Sequence, residues 1–204
     1  MTTADGARPK FGDRRRDSFG AAGVIQEKAS ENALIDCMDG AFVKLPDVVQ
    51  RAHRGTIRLS GTARVERGRG LGGLIALLMR LPKSNPKAEL VVVAWHFVDQ
   101  MIWSRTFDGR TFESTFRKED DFLVEQMGPL SLFLQPMAEG GRLVYRLVAT
   151  HIGPIALPRM LAPSMTAWEG EKDGKYAFEV SVGLPLLGRL IRYSGELDLE
   201  TLAT

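Results

Sequence analysis

The chain has one cysteine, three histidines, little surplus charge and no long apolar run, and each shortage excludes something. Cys37 alone cannot form an internal disulfide, so a disulfide-stapled fold is excluded, and a reducing, cytoplasmic setting is expected. His53, His96 and His151 lie far apart, without H-x-x-x-H or H-E-x-x-H spacing or paired cysteines, so no metal site is expected. No G-x-S-x-G is present, and Cys37 has no partner pattern of a catalytic thiol. The 27 Lys and Arg face 25 Asp and Glu, and a surplus of two marks no nucleic-acid-binding face. No uncharged run reaches the roughly 18–20 residues that span a bilayer. What is there is 204 residues, 44% hydrophobic and 25% charged, enough for one domain with a sizeable core.

Residues 1–31 mix six basic and five acidic side chains without any period and are expected to form a solvated tail. Within them, Arg14-Arg15-Arg16, Phe19 and the run from Gly20 to Ile25 resemble a twin-arginine export signal only faintly. The run is at the short end of the usual range and Gln26-Glu27-Lys28 closes it. A single β-rich domain over 32–204 follows. Ile35, Met38, Phe42 and Leu45 stand at helical spacing up to Pro46, and Val48 and Val49 lead to His53 and Gly55, so two short helices are expected.

From Thr56 the period becomes two. Ile57, Leu59, Ala63 and Val65 share one face against Arg58, Ser60, Thr62, Arg64 and Glu66, as in a half-buried antiparallel strand. The glycines at 68, 70 and 73 then match G-x-G-x-x-G, with Glu89 about twenty residues on. A dinucleotide site is not the expectation, because its strand is buried on both faces and this one alternates. The following helix is also short, ending at Pro82, and no strand–helix series succeeds it. No cofactor is expected.

Strands follow at Leu90–Val98, Met101–Phe107, Arg110–Phe116, Phe122–Met127, Leu130–Gln135, Leu143–His151, Thr166–Gly170, Tyr176–Val182 and Leu190–Leu199. Asp108-Gly109 and Lys172-Asp173-Gly174 are hairpin signals. About ten strands with short connections and one inserted helix predict a mainly β fold, an antiparallel meander closed or half-closed into a barrel.

Three connections are apolar where loops are normally polar: Gly70 to Leu81, Gly153 to Pro163 and Gly183 to Leu190. Connections in a meander alternate between its ends, and these are the first, seventh and ninth, so they share one end. Asp99-Gln100, Arg117 to Asp121, Ala138 to Gly141 and Glu171 to Gly174 are short and polar and fall at the other. The apolar segments either fold inward as a plug or stand around an entrance, or against a lipid surface.

Charges on apolar strand faces are the candidate site. Trp103, Arg105 and Phe107 share a face, as do Leu123, Glu125 and Met127, and Ala167 and Glu169. Pointing inward, Arg105 needs a carboxylate, with Glu125 or Glu169 available. Arg159 is a second charge in an apolar segment, and Phe112, Trp168, Phe178 and Tyr193 would contact an apolar body. His53 reads as a helix-end packing residue.

Several segments taken in order are similar to one family: RGRGLGGLIALLMRLP, IWSRTFDGRTFEST, LVEQMGPLSL, GPIALPRMLAPSMTAWE and DGKYAFEVSVGLPLLGRLIRYSGEL. Together with KLPDVVQRAHRG they resemble the bacterial domain-of-unknown-function family 4166 over about residues 32–198. The resemblance implies a domain found alone or joined to others, including dehydrogenase-like and membrane-embedded ones, and carries no activity with it.

The expected function is binding of a small apolar or lipid-like ligand, in a pocket above about 300 Å³ entered at the apolar end. Peripheral membrane contact accompanies that expectation. The alternatives are a small enzyme using Arg105 with Glu125 or Glu169, and an accessory module docking its apolar end onto a protein.

Overall fold

The computed structural model describes residues 31–202, so the expected tail and the export-signal likeness fall outside the described residues, Glu31 apart. Alternating side chains from Thr56 onward build a sheet in which sequence neighbours pair antiparallel. The strands are β1 (Thr56–Arg67), β2 (Asn85–His96), β3 (Met101–Phe107), β4 (Arg110–Glu119), β5 (Phe122–Met127) and β6 (Leu130–Glu139). They continue with β7 (Arg142–Ile152), the two-residue β8 (Ile155–Ala156), β9 (Ser164–Lys172), β10 (Lys175–Leu184) and β11 (Gly188–Thr201).

Pairing of β1 with β11, of β6 with β7 and of β7 with β9 closes ten strands into a barrel, with β8 an extra piece beside β7. Closure removes the open edges that a flat sheet would expose. Asp108-Gly109 makes its hairpin with φ of 46° and 78°, the left-handed values that a two-residue turn requires.

The helical segment before β1 comprises α1 (Ala33–Met38), a 3₁₀ turn (Asp39–Lys44) and α2 (Asp47–Ala52). Asn32 organises it. Its Oδ1 accepts from the backbone N–H groups of Leu34 and Ile35 at 3.1 and 3.2 Å, which caps α1. Its Nδ2 donates to the carbonyl of His53 at 2.9 Å, which ties α1 to the end of α2. Leu34, Phe42 and Val49 are almost wholly buried and join one core with Leu59, Leu90 and Leu134 of the strands. Lys118, at the far end of β4, reaches the carbonyl of Asp36, and His96, at the end of β2, takes the carbonyl of Gly55. The helices therefore stopper the end where the polar connections turn.

The three apolar connections lie together at the opposite end, as the alternation of the meander requires. They do not plug it. Met160 is 74% exposed, Leu78 73% and Leu186 94%. The inserted helix α3 (Gly70–Leu78) lies against β11 through its small residues Gly72 and Ala76, leaving Leu71, Leu74 and Leu77 outside.

This packing accounts for the glycine run. A Cβ on Gly68 would stand 1.7 Å from the carbonyl oxygen of Arg189, and one on Gly72 2.7 Å from those of Arg189 and Leu187. Gly68 and Gly72 let the start of α3 and the β11 backbone touch, while Gly70, with a φ of 59°, and Gly73, against the Gly68 carbonyl, shape the turn into the helix. The three fingerprint positions 68, 70 and 73 therefore have separate structural reasons.

Gly68→Ala should therefore destabilise the domain by about 1–3 kcal/mol, because backbone must move. Gly40→Ala, on the 3₁₀ turn with open space around it, should be neutral or stabilise by about 0.4–1 kcal/mol. Urea midpoints of the two variants check this contrast in sign.

Candidate functional site

Inward-facing positions recur every second residue, so the barrel interior can be read from the strands. Met101, Trp103, Arg105 and Phe107 come from β3, Ser114 and Phe116 from β4, Glu125 from β5, Tyr145 from β7 and Glu169 from β9. Tyr176, Phe178 and Val180 of β10 and Tyr193 and Leu197 of β11 complete a ring around a cavity of about 80 Å³. Trp103, Arg105, Glu125, Trp168, Glu169, Phe178 and Tyr193 line it, so seven of the nine candidates are brought together. Phe112 sits beside them, its ring 6.4 Å from Phe107, outside the lining. Arg159 is exposed on the segment at the apolar end and takes no part. The enclosed volume also falls short of the expected pocket above about 300 Å³, because large side chains, above all Trp103, Phe116, Tyr176 and Phe178, occupy the interior.

The Arg105 guanidinium donates to Ser114 Oγ at 2.6 Å, and its Nη1 is 3.6 Å from Glu125 Oε1. Of the two carboxylates expected as partners, Glu125 is the one in contact. The cation also lies over the rings of Trp103 and Phe116, at 5.4 and 5.9 Å. Burial is the strongest single influence and opposes the charge, but Glu125, Tyr193, Tyr176 and Glu169 together outweigh it, so the pKa of Arg105 rises further above its ordinary value.

Glu169 has a different partner. His53, brought in by the end of α2, places Nε2 2.5 Å from Glu169 Oε2, and Tyr145 donates its hydroxyl to Oε1 at 3.0 Å. Burial favours the protonated acid, but the charge and hydrogen bond of His53, with Tyr176 and Tyr145, prevail and hold Glu169 below the usual carboxylate range. The carboxylate is therefore ionised at neutral pH, and His53 Nε2 carries the proton between them. Burial first, then the nearby Glu169, pushes the Tyr145 and Tyr176 phenols well above 10, so both remain donors.

His53 and His96 rings stand 5.8 Å apart, edge to face, and His53 tilts over Trp103 at 5.2 Å. His96 Nδ1 donates to the carbonyl of Gly55 at 2.7 Å, which leaves its Nε2 as a lone pair. Among the described residues neither His96 Nε2 nor His53 Nδ1 has a hydrogen-bond partner, although both atoms are buried. Burial, then the neighbouring His53, lowers His96 to about 4, so it is neutral at pH 7. No group of three or more His, Cys, Asp or Glu side chains suited to a metal ion occurs among the described residues.

His53, Tyr145, Tyr176 and Ser114 escaped the sequence reading. The period-two pattern places the two tyrosines and the serine inward, and nothing marked their faces as polar. His53 left no such trace, since its position depends on how the helices dock.

A second, shallower space lies at the apolar end, a groove of about 450 Å³ among Ser164, Thr166, Ser181, Leu184, Pro185 and Arg189. Met165 lines both the groove and the interior cavity. Its strand, β9, pairs with β7 only from Ala167 to Glu169, so Met165 stands where the two strands are no longer bonded to each other.

These features define a closed, up-and-down antiparallel barrel, stoppered by helices at one end and holding a buried polar cluster. The model of one protein family, a domain of unknown function (DUF4166), matches residues 45–197, and the chain belongs to that family. No curated protein and no solved structure matches it.

Two outcomes follow. His96 binds its proton at about 4 when folded and about 6.5 when unfolded, so the unfolded chain holds the extra proton between those values. Stability should fall as pH drops through that window, and Glu169, lowered on folding, acts in the same direction as pH falls through its folded value. His96→Gln should flatten the pH dependence of the urea midpoint between about 6.5 and 4; an unchanged slope would refute the assignment. Burial pushes the pKa of the half-buried Cys37 thiol up to about 11, so it should react with a disulfide reagent at pH 7.5 roughly tenfold or more slower than in the urea-unfolded chain.

Proposed function

We propose that the domain binds a small molecule with a compact, hydrogen-bond-accepting end and an apolar body, entering at the end that carries α3 and the 153–163 segment. One observation carries this reading: Arg105, Glu125, Glu169, His53 and three tyrosines gather around unfilled space in an otherwise apolar barrel. A barrel that needed only a core would be as stable, or more so, with apolar side chains at those places. Perturbed ionisable groups around a cavity are the usual mark of a binding or catalytic site.

The dimensions refine the ligand. Space of about 80 Å³ admits the polar end, and the groove of about 450 Å³ beyond Met165 supplies room for the body. Methionine is unbranched and easily re-oriented, and although β9 stays paired to β10 at Met165, it is no longer paired to β7 there, so a rotamer change toward that side connects the two spaces. Arg105 has five N–H donors, and Ser114 and Glu125 are its hydrogen-bonding and ion-pairing neighbours, which leaves donors for a carboxylate or carbonyl. A polar ring meeting an apolar mouth is the arrangement expected for an amphipathic ligand.

A second reading rests on His53. An imidazole held by an ionised carboxylate at one nitrogen and unpartnered at the other has, in its neutral form, the arrangement of a general base and, in its protonated form, that of a general acid. The same experiment separates the two, since a binder returns the molecule intact and an enzyme returns a product.

Native mass spectrometry of the purified full chain, as isolated and after incubation with a series of aliphatic carboxylic acids, should show a stoichiometric bound mass. Met165→Trp should weaken binding roughly tenfold or more by filling the passage, with an unchanged circular dichroism spectrum. The double variant Arg105→Met, Glu125→Leu should lose binding and keep its stability. Affinities equal to the parent in both variants, or no bound mass in any sample, would overturn the proposal.

A further inference from the structure

The apolar end has properties that the ligand reading does not require. α3 contains no polar side chain and buries only Gly72 and Ala76, turning Leu71, Leu74, Leu77 and Leu78 to solvent. Met160, Leu161 and Leu186, from two other connections at the same end, are exposed as well. Apolar side chains gathered this way on three neighbouring connections mark a contact surface.

Charge identifies what the surface meets. The connections at this end carry Arg69, Arg80, Lys83 and Arg159 against one acidic residue, Asp108. None of these four cations has an ion-pair partner among the described residues. Arg64, Arg67, Arg69 and Arg189 also surround a polar recess of about 690 Å³ beside α3, with Glu66 the single carboxylate among them. The turns at the stoppered end carry Asp99, Asp120, Asp121 and Asp173, and the helical segment there adds Glu31, Asp36, Asp39 and Asp47 against Lys44, Arg51 and Arg54, so acidic residues outnumber basic ones. Phe97 and Val98 are exposed there, but beside Asp99 and without a cation.

We infer that the apolar end docks on an anionic phospholipid surface, with α3 and the 153–163 segment seated among the headgroups and the arginines on the phosphates. Each element of that surface fits the physics. Interfacial segments bury apolar side chains about 5–10 Å into the headgroup boundary. Each nearby Lys or Arg adds about 1 kcal/mol on an anionic leaflet. The opposed charges of the two ends turn the barrel mouth-down in the field of such a surface before contact. A neutral apolar partner would need no unpaired arginines around it. The inference stands apart from the ligand reading, because it holds whether or not the barrel carries a molecule.

Flotation of the full chain with phosphatidylcholine vesicles, with and without phosphatidylglycerol, at low and high salt, tests it. The parent should float with the anionic vesicles, much less with neutral ones, and less as salt rises. Arg69→Glu with Arg159→Glu should reduce partition roughly tenfold or more. Leu74→Asp with Leu78→Asp should do the same through the apolar contact; all four positions are exposed, and circular dichroism confirms folding. Flotation equal to the parent in both double variants would overturn the inference and assign binding to another part of the chain, including Arg14-Arg15-Arg16. Failure to float with anionic vesicles overturns it too. So does a concentration-dependent dimer dispersed by Leu78→Asp, which would make the surface a contact with a second copy.

Discussion

The contact between His53 and Glu169 joins everything else in this domain. It is the point at which the helical segment enters the barrel and, among the described residues, where the ionisable group at the end of α2 meets a strand-borne one at the cavity. Without it, Glu169 would be a carboxylate inside a β-barrel with two phenols for company, and burial would drive it to the neutral acid. With it, the carboxylate keeps its charge, Tyr145 keeps an acceptor, and the end of α2 is held over the barrel floor. Asn32 makes the same connection from outside, by capping α1 and holding the His53 carbonyl.

That arrangement also explains why the polar cluster divides into two pairs. Arg105 and Glu125 lie on strands separated by β4, with Ser114 between them, so their ion pair is part of the barrel wall. His53 and Glu169 bridge wall and floor. Opposite charge in the first pair and a charge-assisted hydrogen bond in the second limit the penalty for taking charged groups out of water. Neither is fully saturated: the Arg105–Glu125 separation is 3.6 Å, longer than a tight hydrogen bond, and His53 Nδ1 is unpartnered. A cluster serving stability alone is better off with every donor and acceptor matched. The open valences, and the volume beside them, are what the ligand reading builds on.

The sequence showed most of the barrel because a strand's periodicity is a local signal. Met101–Phe107 and Phe122–Met127 have the limits that the alternation and turns predict. The other strands run a few residues further than their apolar cores, as Asn85–His96 does beyond Leu90, because pairing with a neighbour continues after the hydrophobic pattern stops. β8 went unanticipated, its two residues having no pattern of their own. The inward faces named Arg105, Glu125 and Glu169 correctly as neighbours of one interior. Which carboxylate served the arginine depended on barrel curvature and on His53, and neither leaves a periodic trace. Cavity size was illegible for a related reason. Ten strands enclose a predictable shell, but the space left inside depends on rotamers of Trp103, Phe116, Tyr176 and Phe178. Arg159 looked like a buried charge only on the premise that its apolar neighbours were themselves buried.

The two ends of the barrel follow opposite rules, and connectivity allows that. An up-and-down barrel sends alternate connections to opposite ends, so a sequence can tune one end without touching the other. Here the stoppered end has short aspartate-bearing turns around a helical plug, while the other has long connections rich in Leu, Pro and Gly with unpaired cations. Gly68 and Gly72 belong to the same design, since only without side chains can α3 lie close against β11 and leave its leucines facing outward. A helix packed that way gains little from its own apolar residues while the end faces water, because their burial awaits a second surface. The unpaired arginines beside them gain nothing from a purely apolar cover. An assembly that satisfies both presents anionic groups at its edge and apolar surface beneath, the arrangement that the proposed bilayer contact would supply within one Debye length.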